Sequence, residues 1–407
     1  MHRSERSTAT KPKLDRVRLP YKTIPFDSAA INFTDLNLDK RLLQGTCDLG
    51  WQETRPVQSG VIPLAMSGRD VIACAETGTG KTAAFLVPIL QRFLQQTNIN
   101  LDESKTAKAV IGTRALVLSP TRELAVQIED QVQGLIYHTT ISSIAVYGGV
   151  PMPPQERALR ANVDIVVATP GRLMDHMRQG TVCFKKLEVL VLDEADRMLD
   201  MGFWPDVQKI LGQLPSVRQT LLFSATMPSE VLNLTKEFLR DPAHIQVGKP
   251  GGPASTISHT VQRVPAKEKI SWLASWLQDE IHGPVLVFCR TKIGADKLAR
   301  RLSQTGIRAA ALHANRTQEQ RVAAVEGFRS GLYPVLVATD VAARGLDIDG
   351  IAYVVNFEVP NKVEDYVHRV GRTGRAEATG NALTLAAPEE LRTLRALEKA
   401  MGLPLQQ

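Results

Sequence analysis

Long apolar runs are missing from these 407 residues. None approaches about 18 consecutive apolar positions, so no membrane-spanning helix is expected. Cysteine is scarce. Cys47, Cys74, Cys183 and Cys289 stand apart with no C-x-x-C pair, which argues against a disulfide scaffold or a zinc site and favours a reducing compartment. Aromatic residues are only 5% of the chain, few for recognition of nucleic acid by base stacking. Neither sign of charge dominates: 49 Lys and Arg face 42 Asp and Glu, a net +7. What is present is ordinary for a globular protein, with 43% hydrophobic and 22% charged residues, enough to exclude global disorder. At roughly 100–200 residues per domain the length allows two to four domains.

The charge is uneven. Residues 1–30 hold seven basic and three acidic residues, 31–258 hold 22 and 23, and 259–407 hold 20 and 16. An anionic partner would have to be gripped by local groups in a groove. The first 30 residues contain Pro12, Pro20 and Pro25 without apolar periodicity, and are expected to form a mobile basic tail. A targeting peptide is the rival reading, but Glu5 and Asp15 interrupt its charge and no apolar stretch follows.

From Asp70 onward short apolar runs alternate with amphipathic stretches. Val71–Cys74, Ala115–Leu118, Val163–Val167, Val189–Leu192 and Thr220–Phe223 read as strands, separated by helix-like segments such as Thr82–Phe93, Arg122–Gly134 and Ser229–Leu239. The runs are continuous and β-branched, as strands buried on both faces are. Strand alternating with helix predicts a parallel sheet covered on both sides. The alternation stops at residues 247–257, rich in Gly and Pro, and restarts. Val285–Cys289, Ala309–Leu312, Val335–Ala338, Ile351–Asn356 and Ala382–Leu385 are the next strands. Lys292–Gln304, Thr317–Arg329, Lys362–Val370 and a final Leu391–Met401 are the next helices. The fold class is therefore α/β: two tandem parallel-sheet domains, 31–246 and 258–407, joined by a linker at 247–257. Ligands of such sheets bind beyond the carboxyl ends of the strands.

Ala75-Glu-Thr-Gly-Thr-Gly-Lys-Thr82 sits between a strand and a helix. Gly78 and Gly80 allow backbone N–H groups to converge on phosphate, Lys81 supplies charge, and the Thr82 hydroxyl suits Mg²⁺. Asp193-Glu-Ala-Asp196 follows the strand Val189–Leu192. Asp193 is placed for Mg²⁺ and Glu194 for the attacking water; the plainer alternative is a helix N-cap cluster. Upstream, Trp51 can offer a face to adenine and Gln58 an amide to its edge, although in isolation both residues read more easily as loop and core.

Together these motifs resemble the DEAD-box RNA helicases of superfamily 2. The resemblance continues through Pro120–Ala125, Gly148-Gly149, Thr169–Arg172, Ser224-Ala-Thr226, Phe288–Thr291, Gln318-x-x-Arg321, Thr339–Asp347 and His368–Arg375, in the family's order, over about residues 31–400. It implies two RecA-like domains closing around ATP and RNA. ATP would be held by Phe33, Trp51, Gln58, Thr77, Gly78, Thr79, Gly80, Lys81, Thr82 and Asp347, with Mg²⁺ on Thr82 and Asp193. Catalysis would fall to Lys81, Asp193 and Glu194 together with Arg372 and Arg375, two arginines three residues apart and expected on one helical turn. Thr54-Arg-Pro-Val-Gln58 departs from the family's usual Pro-Thr-Pro-Ile-Gln, and Ala314 from its usual glycine after His313; His313 itself reads as structural.

Thr121, Arg122, Gly149, Thr169, Gly171 and Arg172 in the first domain, and Arg290, Thr291, Arg321 and Thr339 in the second, are of phosphate-contacting types at strand ends. Singly, each is also a plausible cap or turn. The resemblance makes them the grip on the backbone of an RNA strand, with 2′-hydroxyl contacts separating RNA from DNA, and makes Ser224, Thr226 and His368 the coupling residues. The expected activity is RNA-stimulated ATP hydrolysis coupled to clamping and local strand separation. A non-unwinding RNA clamp serving as an assembly platform shares every motif; a DNA translocase and a metabolic P-loop kinase fit fewer. No further domain is expected after residue 400, so RNA targeting would fall to the basic tail or to a protein partner. Gln96–Arg114 reads as a flexible surface loop, and Cys74 and Cys289 as buried thiols. A monomer in the cytoplasm, bacterial ahead of mitochondrial, completes the expectation.

Overall fold

A computed structural model describes residues 21, 23–75, 78–102, 112–248, 257–279, 283–343, 348, 350–374 and 379–401. The first sheet consists of β1 (Val71–Cys74), β2 (Ala115–Leu118), β3 (Ser143–Val146), β4 (Ile165–Ala168), β5 (Val189–Leu192), β6 (Gln219–Ser224) and β7 (Ala243–Gln246). Its order is β3-β4-β2-β5-β6-β1-β7, and all neighbours are parallel. The alternation of side chains sorts them into two cores. Val71, Ala115, Val117, Val189, Val191 and Phe223 join one; Ile72, Leu116, Leu118, Leu190, Leu192 and Leu222 join the other. A sheet buried on both faces needs apolar residues at successive positions, which is why its strands read as unbroken runs.

The second sheet consists of β8 (Ile257–Arg263), β9 (Val285–Cys289), β10 (Ala309–Leu312), β11 (Val335–Thr339), β12 (Tyr353–Asn356) and β13 (Gly380–Ala386). Its order is β10-β11-β9-β12-β13-β8, again wholly parallel. Two α/β domains with parallel sheets are thus present.

Three expectations change. The helix expected at Thr82–Phe93 runs from Lys81 to Asp102, so Gln96–Asp102 is helical rather than loop: no Pro or Gly interrupts it there. Residues 103–111 of that stretch lie outside the described residues. The end of the expected tail is docked on the first domain. The Ile24 amide donates to the His244 carbonyl at 2.9 Å, and Phe26 packs against the first core. Residues 1–20 and 22 lie outside the described residues, as does most of the 247–257 linker. Finally, the helix Val363–Val370 stops at a Gly371 cap, so Arg372 lies in the turn beyond it and not on a helix; residue 375 lies outside the described residues.

Candidate functional site

The loop after β1 is shaped by two left-handed glycines, Gly78 (φ 82°) and Gly80 (φ 89°). A Cβ on Gly80 would overlap the Gln58 amide, so the position needs glycine for space as well as for backbone freedom. Lys81 is buried, and its Nζ donates to the Ala75 carbonyl at 3.0 Å across the loop. Thr79 and Thr82 are half-buried beside it. Thr77 lies outside the described residues. Gln58, on the first turn of the helix Pro56–Met66, accepts from the Arg55 amide at 2.9 Å and donates Nε2–H to the Gly80 carbonyl at 3.0 Å. Arg55 adds a 2.8 Å bond from Nη1 to the Gly78 carbonyl. Trp51 is half-buried, with its ring centroid 6.2 Å from that of Phe33. Phe33 itself is only 2% exposed. It therefore backs Trp51 from the core and has almost no surface for a ligand, contrary to its expected place among the nucleotide contacts.

Asp193, Glu194 and Asp196 are all buried at the end of β5. Glu194 adopts the left-handed conformation (φ 51°, ψ 52°) and stands at the N-cap of the helix Ala195–Asp200 without a side-chain capping bond. A non-glycine residue held there by its surroundings marks stored strain, and capping does not account for it. Its Oε2 instead receives Arg197 Nη1 at 2.6 Å. Burial pushes the Asp193 carboxyl up to about 7, against the pull of Lys81. Burial works the same way on Glu194, but Arg197, Lys81 and Arg372 together hold it below the usual carboxylate range. Asp196 faces the end of β6: its Oδ2 accepts from the Thr226 amide at 2.8 Å and from the Thr226 hydroxyl at 2.9 Å. The Ser224 hydroxyl accepts from the Asp196 amide at 3.2 Å and donates to the Thr226 carbonyl at 2.6 Å. Ser224 and Thr226 are thus wired to the carboxylate cluster.

The second domain presents cations to this cluster. Arg372 is 3% exposed, with Nε donating to the His368 carbonyl at 3.3 Å. Arg369 is clamped by both oxygens of Asp340, at 2.6 and 2.8 Å, and by Asn356 Oδ1 at 3.1 Å. Arg197 of the first domain shares a small cavity with Phe288, Asp340, Asp365, His368 and Arg372 of the second. The domains therefore meet beside Glu194. Arg375 and Asp347 lie outside the described residues.

The phosphate-contacting candidates line the same strand ends. Thr121 is buried and caps the helix Arg122–Ile136 through Oγ1; Thr291 caps Lys292–Gln304 in the same way. For these two hydroxyls the cap role is real. Thr169 also occupies an N-cap, but its side chain makes no capping bond. Arg122 lies so close over Gly149 (φ 86°) that any Cβ there would overlap its guanidinium. Gly171 opens onto free space. Arg172 donates to the Val150 carbonyl at 3.0 Å, Arg290 to that of Val359 at 3.1 Å, and Thr339 is buried at the end of β11. Arg321 crosses between domains to Glu123 at 2.7 Å, both side chains 11% exposed. Burial, then Arg321 and Arg172, lower the affinity of Arg122 for its proton although Glu123 opposes them, so three guanidiniums crowd one groove. Such a groove favours an anion.

A family model described as DEAD/DEAH box helicase matches residues 55–234, and one described as helicase conserved C-terminal domain matches 268–377. The chain is 41% identical over 369 residues to the DEAD-box ATP-dependent RNA helicase CshA of Bacillus subtilis, a match covering 91% of this chain and 72% of that protein. The chain belongs to the DEAD-box helicase family. DEAD-box ATP-dependent RNA helicases are ATP hydrolases. To DEAD-box ATP-dependent RNA helicase 30 of Arabidopsis thaliana it is 43% identical over 371 residues, 91% of this chain; it spans 61% of that protein's length. Among solved structures, S. cerevisiae Dbp5 bound to RNA and ADP BeF3 aligns at 28% identity with a TM-score of 0.81, over 92% of this chain and 95% of that one.

Within this DEAD-box frame, sequence reasoning passed over three contributors. Arg55 braces the loop at Gly78–Gly80, Arg369 is clamped by Asp340 and Asn356 on the wall of the cavity that Arg197 and Arg372 also line, and Arg197 holds Glu194. Arg197 and Arg369 lie next to residues that were singled out. Their near-complete burial, 1% and 3% exposed, is what marks them, and burial of an arginine cannot be read from a polar letter in a helix.

Proposed function

We propose that this DEAD-box chain hydrolyses ATP when RNA is bound, and uses the closure of its two domains to clamp one RNA strand and separate short duplexes. The observation that carries the reading is the meeting of charges across the cleft. Arg372 from the second domain lines one cavity with Arg197, which bonds Glu194, the carboxylate expected to orient the attacking water. Lys81 and the loop at Gly78–Gly80 would hold the phosphates, and Trp51 and Gln58 the adenine. Arg372 would stabilise the charge that develops on the transferred phosphoryl group. Asp193 suits a cation: burial, joined by the Glu194 carboxylate beside it, drives its carboxyl toward neutrality against the pull of Lys81. An Mg²⁺ would be held there by one carboxylate, the Thr82 hydroxyl and the nucleotide's own phosphates. The RNA strand would lie along Arg122, Gly149, Thr169, Gly171 and Arg172 in one domain, and Arg290, Thr291, Arg321 and Thr339 in the other. Contacts to the backbone rather than to bases make the grip indifferent to sequence. The reading includes a cytoplasmic monomer, in keeping with four free cysteines.

ATP turnover with and without single-stranded RNA, for the native chain and for Glu194→Gln, tests the proposal. RNA stimulates the native chain, and Glu194→Gln loses roughly 10²–10⁴ in turnover, the worth of a positioned proton acceptor, while still binding ADP. Turnover indifferent to RNA would overturn the reading. Displacement of a strand from a short duplex separates unwinding from clamping alone.

A further inference from the structure

We propose that Arg197 is a positioning residue for ATP hydrolysis: it holds the Glu194 carboxylate in place through one arm of its guanidinium and registers the arrival of the second domain through the other. The inference rests on the reading above, in which Glu194 orients the attacking water.

Arg197 sits three residues beyond Glu194, one helical turn away, where side chains meet. Its Nη1 bonds Glu194 Oε2 at 2.6 Å. The side chain is 1% exposed, and Nη2 is buried with no hydrogen-bond partner among the described residues. A buried donor left unmade is destabilising, more so on a charged group, so a cation is kept there at a penalty. The cavity it lines is small, about 10 Å³, and its other walls belong to the second domain: Phe288, Asp340, Asp365, His368 and Arg372 among them. The planar fork of the guanidinium thus has one arm on the reacting carboxylate of one domain and the rest against the closing face of the other.

This arrangement makes the ion pair depend on closure. With the second domain seated, the pair lies in a low-dielectric environment, where its attraction is several times that in water. With the second domain away, water reaches Nη2 and competes for the pair. The backbone at Glu194 is strained and its side chain caps nothing, so the carboxylate loses its direct anchor. Other charged groups act on Glu194, namely Lys81, Asp196 and Arg372. Lys81 has its Nζ on the Ala75 carbonyl and Arg372 its Nε on the His368 carbonyl, whereas Arg197 touches the carboxylate itself. Lysine at this position would keep the charge but not the fork.

The test uses the full chain with saturating single-stranded RNA. Arg197→Lys, and Arg197→Met if it folds, are compared with the native protein for kcat, KM for ATP, ADP affinity and melting temperature. In Arg197→Lys, kcat falls at least about tenfold, toward the ~10²-fold that a misplaced group costs, while KM and ADP affinity stay within about twofold. In single turnover, Arg197→Lys added to Glu194→Gln causes no further loss, because the residue acts through that carboxylate. A kcat within about threefold of native, ADP affinity falling in step with kcat, or full additivity with Glu194→Gln would each overturn the inference and leave Arg197 a structural arginine. If the native chain itself shows no RNA-stimulated turnover, the underlying functional reading fails instead.

Discussion

At the strand ends of the first domain the buried charges are carboxylates, Asp193, Glu194 and Asp196, steadied by Lys81, Arg197 and the hydroxyl of Thr226. At the strand ends of the second they are guanidiniums, Arg369 and Arg372, the former steadied by Asp340, Asn356 and the Glu358 carbonyl. Beside Glu194, then, the first sheet contributes a carboxylate cluster and the second contributes guanidiniums. Each cluster is satisfied well enough to fold, yet the electrostatic partner that would complete the catalytic carboxylate, Arg372, comes from the other side. The loop at Gly78–Lys81 is built in the first domain, so on the proposed reading nucleotide binding rests mainly on that domain, whereas turnover needs both.

The separation can be broken at three places. Arg372→Lys carries the largest expected effect. An arginine supplied to a phosphoryl-transfer site is worth about 10³–10⁵ in rate, so turnover falls by about 10³-fold while ADP binding stays within twofold; steady-state ATPase assays and a fluorescent-ADP titration measure both. Equal losses in both would place Arg372 among the binding groups. Next come Trp51→Ala and Phe33→Ala, which look alike in sequence. Trp51→Ala costs nucleotide affinity by roughly 1–3 kcal/mol, the range for stacking on a base, with an unchanged melting temperature. Phe33→Ala costs about 3–5 kcal/mol of stability, as for other buried aromatics, read by denaturant unfolding. A Trp51 variant that melts early would mean its ring is core. Smallest is Glu123→Gln, which removes the cross-domain partner of Arg321. It reduces the mutual tightening of RNA and ATP analogue by about fivefold, at the low end for coupling between sites, with little change in ADP binding alone. No change in coupling would show that the ion pair does not help hold the domains together.

Much of this was legible in the letters. The central strands β1, β2, β5 and β9 were readable because burial on both faces demands uninterrupted Val, Leu and Ile. The strands that escaped, β3, β7 and β8, are all sheet edges. Ser143 and Ile144 are half-buried, and β8 intersperses buried Ile257 and Val261 with exposed or half-buried Ser258, His259 and Gln262, patterns too mixed to stand out. The loop at Gly78–Lys81 and the acidic run at 193–196 declare themselves because phosphate and magnesium chemistry restricts residue choice. What the letters hide is long-range wiring: that Phe33 is buried behind Trp51, and that Arg197 is buried against Glu194. Each depends on which surfaces meet after folding. The placement of Arg372 was hidden by something local: Gly371 ends the helix one residue before it.

The central claim is that the catalytic pocket exists only when the two domains close on both ligands. RNA affinity measured with and without a non-hydrolysable ATP analogue tests it most directly. The account predicts that the analogue tightens RNA binding severalfold to a hundredfold, the usual span of about 1–3 kcal/mol for coupled sites, and that RNA tightens the analogue by the same factor. Equal RNA affinity in the presence and absence of the analogue would contradict it.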